Sequence, residues 1–458
     1  MTLTYRNQLL SGWGRYPASR AAVARPERRL EVADSFRQLQ DAAGSVIARG
    51  SGLAYGDAAL NAGGRVVAMN RLSRFLAFEP ENGLITCEAG VTLGEILDVC
   101  VTQGWFLAVT PGTARATVGG CLACDVHGKN HHMVGSFSQH VVSANILLGT
   151  GEVVTCGPDR QNDLFWATAG GMGLTGIILD MTLRLQRVET AYILARNIVT
   201  RDLEETFRKI EETADATYSV AWLDGVGRGS RLGRGVVMLG EHATLSDLPA
   251  EHHAAPLAAR VRRPRSLPFG LPSGILGRPL AFAFNETIYR RYGAAGAAPT
   301  LVEAHQYFYP LDAFDNWNLL YGSSGFLEYQ VVLPPQLAFD GIKQMLEMLD
   351  RAGAVSFFTS VKRLGENSPG HLSFPAPGYA FSFDVPAGDK AILSLLDRCD
   401  EVTVAAGGRV YLAKDARVGA STFAGMYPKR NKWREIVHHY DPTGVLASDM
   451  SRRLELTP

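Results

Sequence analysis

The sequence of 458 residues has no excess of either charge, since 45 Lys and Arg residues balance 45 Asp and Glu residues. A chain without net charge has no bulk electrostatic attraction for nucleic acid, so we expect no nucleic-acid partner. Cysteine is scarce: the 6 residues are scattered, which excludes a disulfide framework and favours a reducing compartment. The first twenty residues lack the apolar segment of a signal peptide, and no apolar run reaches the roughly 18 residues of a membrane span. We therefore expect a cytoplasmic protein, which leaves peripheral contact with a membrane open.

The length of the chain predicts two closely joined domains, because 458 residues exceed one ordinary hydrophobic core. Residues 1–190 alternate short β-rich runs with glycine-rich turns, and residues 411–458 are expected to return and complete this first domain. Residues 191–410 alternate predicted helices with strands and indicate a second domain with an antiparallel sheet, giving an α+β fold. Within it, residues 245–296 show little sustained period and are predicted to form a mobile loop or lid; a poorly ordered surface insertion is the alternative.

Periodicity places several elements. Predicted strands are Val46–Arg49, Leu84–Glu88 and Phe326–Leu333, and predicted helices are Asp202–Ala214, Pro335–Ala352 and Trp433–Tyr440.

The first glycine-rich stretch follows the predicted strand Val46–Arg49 directly. Its glycines allow successive backbone N–H groups to converge on an anion, and a diphosphate is the expected ligand. A plain tight turn is the alternative, and the G-x-G-x-x-G spacing of a Rossmann fingerprint is missing. The candidate binding residues are Arg49, Gly50, Ser51, Gly52, Leu53, Ala54, Tyr55, Gly56 and Asp57.

The second stretch, residues 111–132, is rich in small residues, so backbone is expected to line a flat ring system there. The candidate binding residues are Gly112, Thr117, Val118, Gly119, Gly120, His127, Gly128, Lys129 and Asn130. Cys121, Cys124 and His127 are zinc ligands by residue type, but no second ligand pair follows at zinc-finger distance, so we predict no metal. Cysteines packed behind a glycine turn are the expected alternative. His127 lies between Val126 and Gly128, where a side chain can point into a site.

A third stretch, residues 163–178, has a short aromatic segment, four glycines in seven residues and then a β-branched run that includes Ile178. In order and spacing the three stretches resemble the FAD-binding domain of vanillyl-alcohol-oxidase-type (PCMH-type) flavoenzymes. The resemblance implies that the first loop holds the FAD pyrophosphate, that the second contacts pyrophosphate and flavin, and that the third lies beside the adenosine. Many members attach FAD through a His in the first loop or a Cys in the second. Residues 49–60 and 111–120 contain neither, so non-covalent FAD is expected.

Further phrases resemble the decaprenylphosphoryl-β-D-ribose 2′-oxidases of arabinan biosynthesis: Leu10–Arg15, Cys124–His132, Phe165–Thr168, Phe423–Pro428 and Ala447–Leu456. This resemblance implies hydride transfer from C2′ of a polyprenylphosphoryl ribose to FAD, giving a 2′-keto sugar. A separate NADH-dependent keto-reductase would then complete the epimerisation to the arabinose donor used in cell-wall synthesis.

The positions that match the family's active site are Tyr55, His127, Gln330, Lys362, Tyr411 and Lys414. Loss of hydride from an alcohol requires its O–H proton to leave, so a base or a cationic hydrogen-bond donor is needed; Lys414 and His127 are the candidates. Lys362 and Gln330 are expected to hold the sugar phosphate and hydroxyls, and Tyr411 the flavin. A solvated surface cation is the alternative for each lysine.

Two positions depart from the family. Ser382 replaces the usual cysteine near the flavin, which is the target of covalent inhibitors, and is still expected at the substrate. Glu328 replaces a glutamine, and a carboxylate there weakens the case for a phosphate-bearing substrate.

Two alternative functions remain at this level: a sugar, alditol or sugar-lactone oxidase that uses dioxygen, and a flavin-fold subunit without catalysis. The presence of His127 and Lys414 favours an enzyme.

Overall fold

The computed structural model describes residues 3–33, 44–258, 264–266 and 277–457. A first sheet has the order β1-β2-β4-β3, in which β2, β4 and β3 are parallel and β1 pairs antiparallel with β2. Its strands are β1 (Arg6–Ser11), β2 (Ala18–Ala24), β3 (Val46–Arg49) and β4 (Arg65–Ala68). Each strand is short, and residues 50–55, which follow β3, line the cavity described below.

A second sheet has the order β5-β6-β10-β8-β9, and β7 pairs with the C-terminal end of β10. Its strands are β5 (Phe75–Glu79), β6 (Leu84–Glu88), β7 (Trp105–Leu107), β8 (Val141–Leu147), β9 (Val153–Cys156) and β10 (Ile177–Arg187). Helices in this part are Leu93–Cys100, Val118–Ala123, His131–Val134 and Asn162–Thr168. The first begins at a capping box, in which Thr92 and Glu95 satisfy each other's backbone N–H groups, and buries Leu93, Ile96 and Leu97 on one face.

A third sheet of eight strands has the order β15-β11-β13-β12-β18-β19-β17-β20. The strands between residues 192 and 410 are β11 (Tyr192–Thr200), β12 (Tyr218–Leu223), β13 (Gly235–His242), β14 (Arg265–Ser266), β15 (Thr300–Glu303), β16 (Phe314–Asp315), β17 (Phe326–Leu333), β18 (Thr359–Leu364), β19 (Gly378–Pro386) and β20 (Arg409–Val410). Strands β14 and β16 form a separate parallel pair. Helices in this part are Leu203–Glu212, Arg278–Ala295, Ala304–Phe308, Pro335–Arg351 and Lys390–Ala405.

The C-terminal residues return to the first sheet through helices Ala420–Met426, Arg430–Tyr440 and Asp449–Arg453. The N–H of Val46 donates to the carbonyl of Val445 at 2.8 Å. Arg453 bridges two buried carboxylates, Asp57 at 2.7 Å and Asp415 at 2.8 Å. Because each buried charge is paired, this link fixes the C-terminal segment against the first loop.

The α+β prediction is confirmed, with mixed helices and antiparallel sheets. Strands Val46–Arg49, Leu84–Glu88 and Phe326–Leu333 have the predicted bounds, and the helix predicted from Trp433 begins earlier, at Arg430. The division into two domains stays a prediction. The third sheet nevertheless spans the range expected for the second domain.

The loop prediction for residues 245–296 is wrong at its end, where Arg278–Ala295 is a helix of 18 residues. Only Ala281 and Asn285 are buried along it, so the sequence lacks the wide apolar stripe that reveals a packed helix. Gly277 before it and Gly296 after it were the available boundary signals. Residues 259–263 and 267–276 of the predicted lid lie outside the described residues. Among the described helices none has the length and apolar content to cross a membrane.

Candidate active site

One cavity of about 440 Å³ lies between the glycine-rich stretches and one face of the third sheet. Its volume is within the range of small-molecule and cofactor sites. All three glycine-rich stretches reach it, and so do strands β12, β17, β18 and β19 of the third sheet. The predicted residues that line it are Gly50, Ser51, Gly52, Leu53, Ala54, Tyr55, Gly112, Thr117, Gly119, Gly120, His127, Ile178, Gln330, Lys362, Ser382, Tyr411 and Lys414.

The first loop is held by the N-terminal segment. The N–H groups of Trp13 and Gly14 donate to the carbonyls of Ala54 and Tyr55 at 2.9 and 3.1 Å. Gly52 has a positive φ of 71°, which a residue with a side chain rarely adopts. The motif around Trp13 thus supports the loop, and the Trp13 side chain also lines the cavity.

The first and second loops touch at their closest point. A Cβ atom on Gly50 would lie 2.2 Å from Thr117 Oγ1. Thr117 is also the N-cap of helix Val118–Ala123, because its hydroxyl accepts from the N–H of Gly120 at 3.3 Å. The absence of a side chain at Gly50 therefore lets both loops border one cavity with their backbones.

Several predicted cofactor residues do not line the cavity. Arg49 donates to the carbonyl of Ser11 at 2.6 Å and packs behind Gly52. Gly56 packs against the carbonyl of Asp415, since a Cβ there would lie 2.0 Å from that oxygen. Asp57 is taken up by its pair with Arg453. These three residues therefore support the first loop through contacts with the rest of the protein. The polar side chains of Arg49 and Asp57 have their hydrogen-bond partners there.

Four predicted cofactor residues in the second stretch also lie outside the cavity lining, and their role stays a prediction. Val118 is fully buried in a hydrophobic cluster. Gly128 packs against the backbone of Thr110. Lys129 Nζ donates to the carbonyl of Tyr307 at 2.6 Å, and Asn130 Nδ2 to the carbonyl of Ala108 at 2.8 Å. Gly128, Lys129 and Asn130 therefore fix the connection between helices Val118–Ala123 and His131–Val134, next to His127.

His127 is buried at the cavity, with 6% of its surface exposed. Its Nε2 lies 3.0 Å from the amide nitrogen of Gln330, and with that nitrogen as the donor Nε2 accepts and the ring proton is assigned to Nδ1, which has no hydrogen-bond partner among the described residues. Burial, together with the charges of Lys362 and Lys414, holds the pKa of His127 well below its usual value. The imidazole is therefore neutral at physiological pH.

Strands β17, β18 and β19 present a polar face to the cavity at every second residue. Glu328 pairs across the strands with Asp384, and Gln330 with Ser382. Ser382 also pairs with Ser360, and the two hydroxyls are 2.9 Å apart. The result is a ladder with two carboxyl groups at one end, hydroxyls and an amide in the middle, and a lysine, Lys362, at the other end.

Lys414 reaches the acidic end of this ladder. Its Nζ lies 2.9 Å from Glu328 Oε2 and 3.5 Å from the centroid of the Tyr55 ring. A carboxylate and the face of an aromatic ring both attract a cation, so the two contacts hold the side chain in place. Burial and the Glu328 charge raise the pKa of Tyr55 well above its usual value, so its hydroxyl stays protonated.

Lys362 lies in a different electrostatic situation. Burial, and then the charge of Lys414, lower its pKa to about 8, while Glu328 opposes the shift. The ammonium group is thus charged at neutral pH, and it loses its proton as the pH rises through about 8. Lys414 offsets Glu328 at the acidic end, and Lys362 supplies positive charge at the other end of the ladder, which suits an anionic substrate group there.

Tyr411 packs beside His127, with ring centroids 5.4 Å apart, and its hydroxyl donates to the carbonyl of Cys124 at 3.0 Å. Its ring borders the cavity next to the second loop, where a flat ring system was expected.

Sequence reasoning missed Asp384, Ser360 and an aromatic wall formed by Trp222, Trp317, Phe326 and Phe358. A signal existed for Asp384, because Phe381-Ser382-Phe383-Asp384 alternates apolar and polar residues and places Asp384 on the face of Ser382. The aromatic residues come from four separate segments that only the fold brings together.

The residues present fit a large planar cofactor better than a metal. Glycines of both loops leave backbone at the cavity wall, as a pyrophosphate requires. Burial raises the pKa of the Cys121 thiol well above its usual value and that of Cys124 to about 12, so neither offers a thiolate ligand. In the part of the chain that the structure describes, no group of three or more His, Cys, Asp or Glu residues is placed to hold a metal ion.

The sequence is similar to those of several known proteins. The FAD binding domain family matches residues 20–157. A decaprenylphosphoryl-beta-D-ribose oxidase of Mycolicibacterium smegmatis is 39% identical over 98% of this chain and 97% of its own length. An uncharacterized protein of Streptomyces coelicolor is 36% identical over 80% of this chain and its whole length. A D-arabinono-1,4-lactone oxidase of Yarrowia lipolytica is 32% identical, but only over 26% of this chain and 23% of its own length.

The fold, the glycine-lined cavity and the matched domain define an FAD-dependent oxidoreductase. Identity over almost the entire chain narrows this class further. The chain belongs to the family of decaprenylphosphoryl-β-D-ribose oxidases.

Proposed function

We propose that this enzyme oxidises the 2′-hydroxyl of decaprenylphosphoryl-β-D-ribose, or of a related polyprenylphosphoryl ribose, to the 2′-keto sugar. The observation that supports this most is the convergence of Lys414, Lys362, His127 and Gln330 on the cavity that the glycine loops border. FAD, when bound there, supplies the acceptor for the hydride. The protein's part is to bind the sugar, orient its C2′–H bond and remove the hydroxyl proton.

Lys414 serves the hydroxyl oxygen as a cation. Its Nζ lies 2.9 Å from Glu328 Oε2 and 3.5 Å from the centroid of the Tyr55 ring, so it is positioned to donate a hydrogen bond to the hydroxyl oxygen. Negative charge develops on the oxygen as its proton leaves, and a fixed cation stabilises that charge.

His127 is the proton acceptor in this proposal. Its ring is neutral, and the lone pair of Nε2 points to Gln330. A sugar hydroxyl that takes the place of the Gln330 amide at Nε2 can pass its proton to the ring, while the amide binds a neighbouring hydroxyl. The low pKa of His127 makes it a weak base, so the assistance from Lys414 is needed.

Lys362 is the phosphate-binding residue. Glu328 was expected to repel a phosphate, but its charge is offset by Lys414. The remaining charge at the opposite end of the polar ladder belongs to Lys362, which leaves that end suited to the phosphodiester.

Anaerobic titration of the yellow protein tests the function. A ribosyl-phosphate polyprenyl lipid should bleach the flavin absorbance, whereas ribose, alditols and sugar lactones should not. Bleaching by a free sugar or lactone, with rapid recovery in air, would instead support a dioxygen-dependent sugar oxidase. Acid precipitation should release all the yellow colour, since no His or Cys lies in the loop positions used for covalent attachment.

The keto product requires a second enzyme, and a separate NADH-dependent keto-reductase is the proposed partner. A polyprenyl substrate also requires access to a membrane. Helix Arg278–Ala295 exposes Leu280, Phe282 and Phe284, with 46%, 45% and 39% of their surface accessible, and we propose peripheral contact through this helix. Sedimentation with and without lipid vesicles measures this contact. The native chain should sediment with the vesicles more than Phe282→Ser does.

A further inference from the structure

Asp384 is a buried cavity residue that the proposed reaction does not use. It lies on β19 with 2% of its surface exposed. Its Oδ1 accepts hydrogen bonds from Ser356 Oγ at 2.7 Å and from the N–H of Phe358 at 2.8 Å. Its Oδ2 is buried and has no hydrogen-bond partner among the described residues. One oxygen therefore fixes the carboxyl group, and the other remains to bind something that the protein does not provide.

The surroundings limit what that partner is. Asp384 lines the cavity next to Glu328, its cross-strand partner, while Phe326 and Phe358 border the same end. Two neighbouring carboxyl groups disfavour an anion, so the phosphate does not bind at this end. The aromatic side chains suit the apolar face of a sugar ring, and the carboxyl groups suit its hydroxyls.

The protonation of Asp384 also fits a hydroxyl partner. Burial raises its pKa to about 7, although hydrogen bonds from the backbone of Phe358, Phe357 and Asp384 itself act to lower it. The carboxyl group accepts a hydrogen bond when ionised and can donate one when protonated. A hydroxyl complements both forms, because it donates and accepts.

We propose that Asp384 determines specificity by binding, through Oδ2, a hydroxyl of the sugar ring other than the one that is oxidised. This assignment rests on the proposed function, since it takes the ribosyl ring as the ligand. In the ladder geometry the phosphate lies towards Lys362, the reacting hydroxyl between Lys414 and His127, and a remaining ring hydroxyl at Asp384.

Substrates that lack single hydroxyls test this. The kcat/KM for flavin reduction is measured with the ribosyl-phosphate lipid and with its 3-deoxy and 5-deoxy analogues, for the native enzyme, Asp384→Ala and Asp384→Asn. The asparagine keeps an oxygen for Ser356 and Phe358, so it preserves the local fold if alanine does not. Flavin content and thermal midpoint confirm that each variant is folded.

We expect the native enzyme to lose roughly 10- to 100-fold in kcat/KM on one deoxy analogue, as for loss of a charged hydrogen bond. Asp384→Ala should lose a similar factor on the full substrate but little more on that analogue. Asp384→Asn should lose less on the full substrate, because its amide can still donate to the hydroxyl. An equal loss on all three substrates, or no loss, overturns the role of Asp384 while leaving the proposed function intact. If the native flavin is not reduced by the ribosyl lipid at all, the proposed function and this assignment both fail.

Discussion

Replacing Lys414 by alanine should leave FAD bound and almost stop flavin reduction by substrate. The ammonium group is held 2.9 Å from Glu328 and 3.5 Å from the Tyr55 ring centroid, so its position is fixed before substrate binds. Loss of one such preorganised donor to a developing oxyanion costs about 3–4 kcal/mol, or roughly 10²- to 10³-fold in rate. Stopped-flow absorbance under anaerobic conditions measures the rate directly, and the bound flavin spectrum reports cofactor content.

The alanine variant also leaves Glu328 without its cation, which by itself can slow the reaction or distort the site. The double variant with Glu328→Gln removes that charge and serves as the matched control. If Lys414 stabilises the reacting oxygen, the double variant stays within about tenfold of the alanine variant, because the oxyanion still lacks its cation. Recovery to the native rate would show that the ion pair is only structural, and an unchanged rate in Lys414→Ala would refute the role altogether.

Three further outcomes are expected. Gly50→Val should purify without FAD, because the Cβ of the new side chain would lie only 2.2 Å from the Thr117 hydroxyl. The control Gly293→Val has open space around it and should keep a full flavin-to-protein ratio. Equal flavin content in both variants would contradict the loop assignment. The KM for a phosphate-bearing substrate should rise as the pH increases through about 8, where Lys362 loses its proton and its charge. Lys362→Arg should abolish that rise, because arginine stays charged. A KM of the native enzyme that does not change with pH would show that Lys362 does not bind the phosphate. Thiol-directed inhibitors should spare the native enzyme and inactivate Ser382→Cys, as mass spectrometry of the modified protein can establish.

The local elements were largely predictable. Strand Phe326–Leu333 and helix Pro335–Arg351 follow from periods of two and of about 3.6 residues, which survive in any single amphipathic element. Helix Arg278–Ala295 was missed because it rests on the protein by a narrow stripe and keeps most of its surface exposed. Its pattern therefore carried almost no signal of burial.

Within the site, sequence reasoning located segments better than side chains. It placed Arg49 and Lys129 at the cofactor, but both donate to backbone carbonyls behind the loops. A motif gives the path of the backbone, whereas the direction of each side chain depends on partners far along the chain. Lys129, for example, meets the carbonyl of Tyr307, a residue 178 positions away.

The linear sequence sets which chemistry is available: glycines that let backbone approach an anion, lysines that supply charge, and a serine hydroxyl at position 382. How those groups act on one another depends on the fold. It set Lys414 against Glu328, lowered the pKa of Lys362 by burial, and left one oxygen of Asp384 without a partner. Composition and the local periodicity of apolar residues can be read from the linear chain. Charge coupling and desolvation depend on distances between segments that only folding fixes.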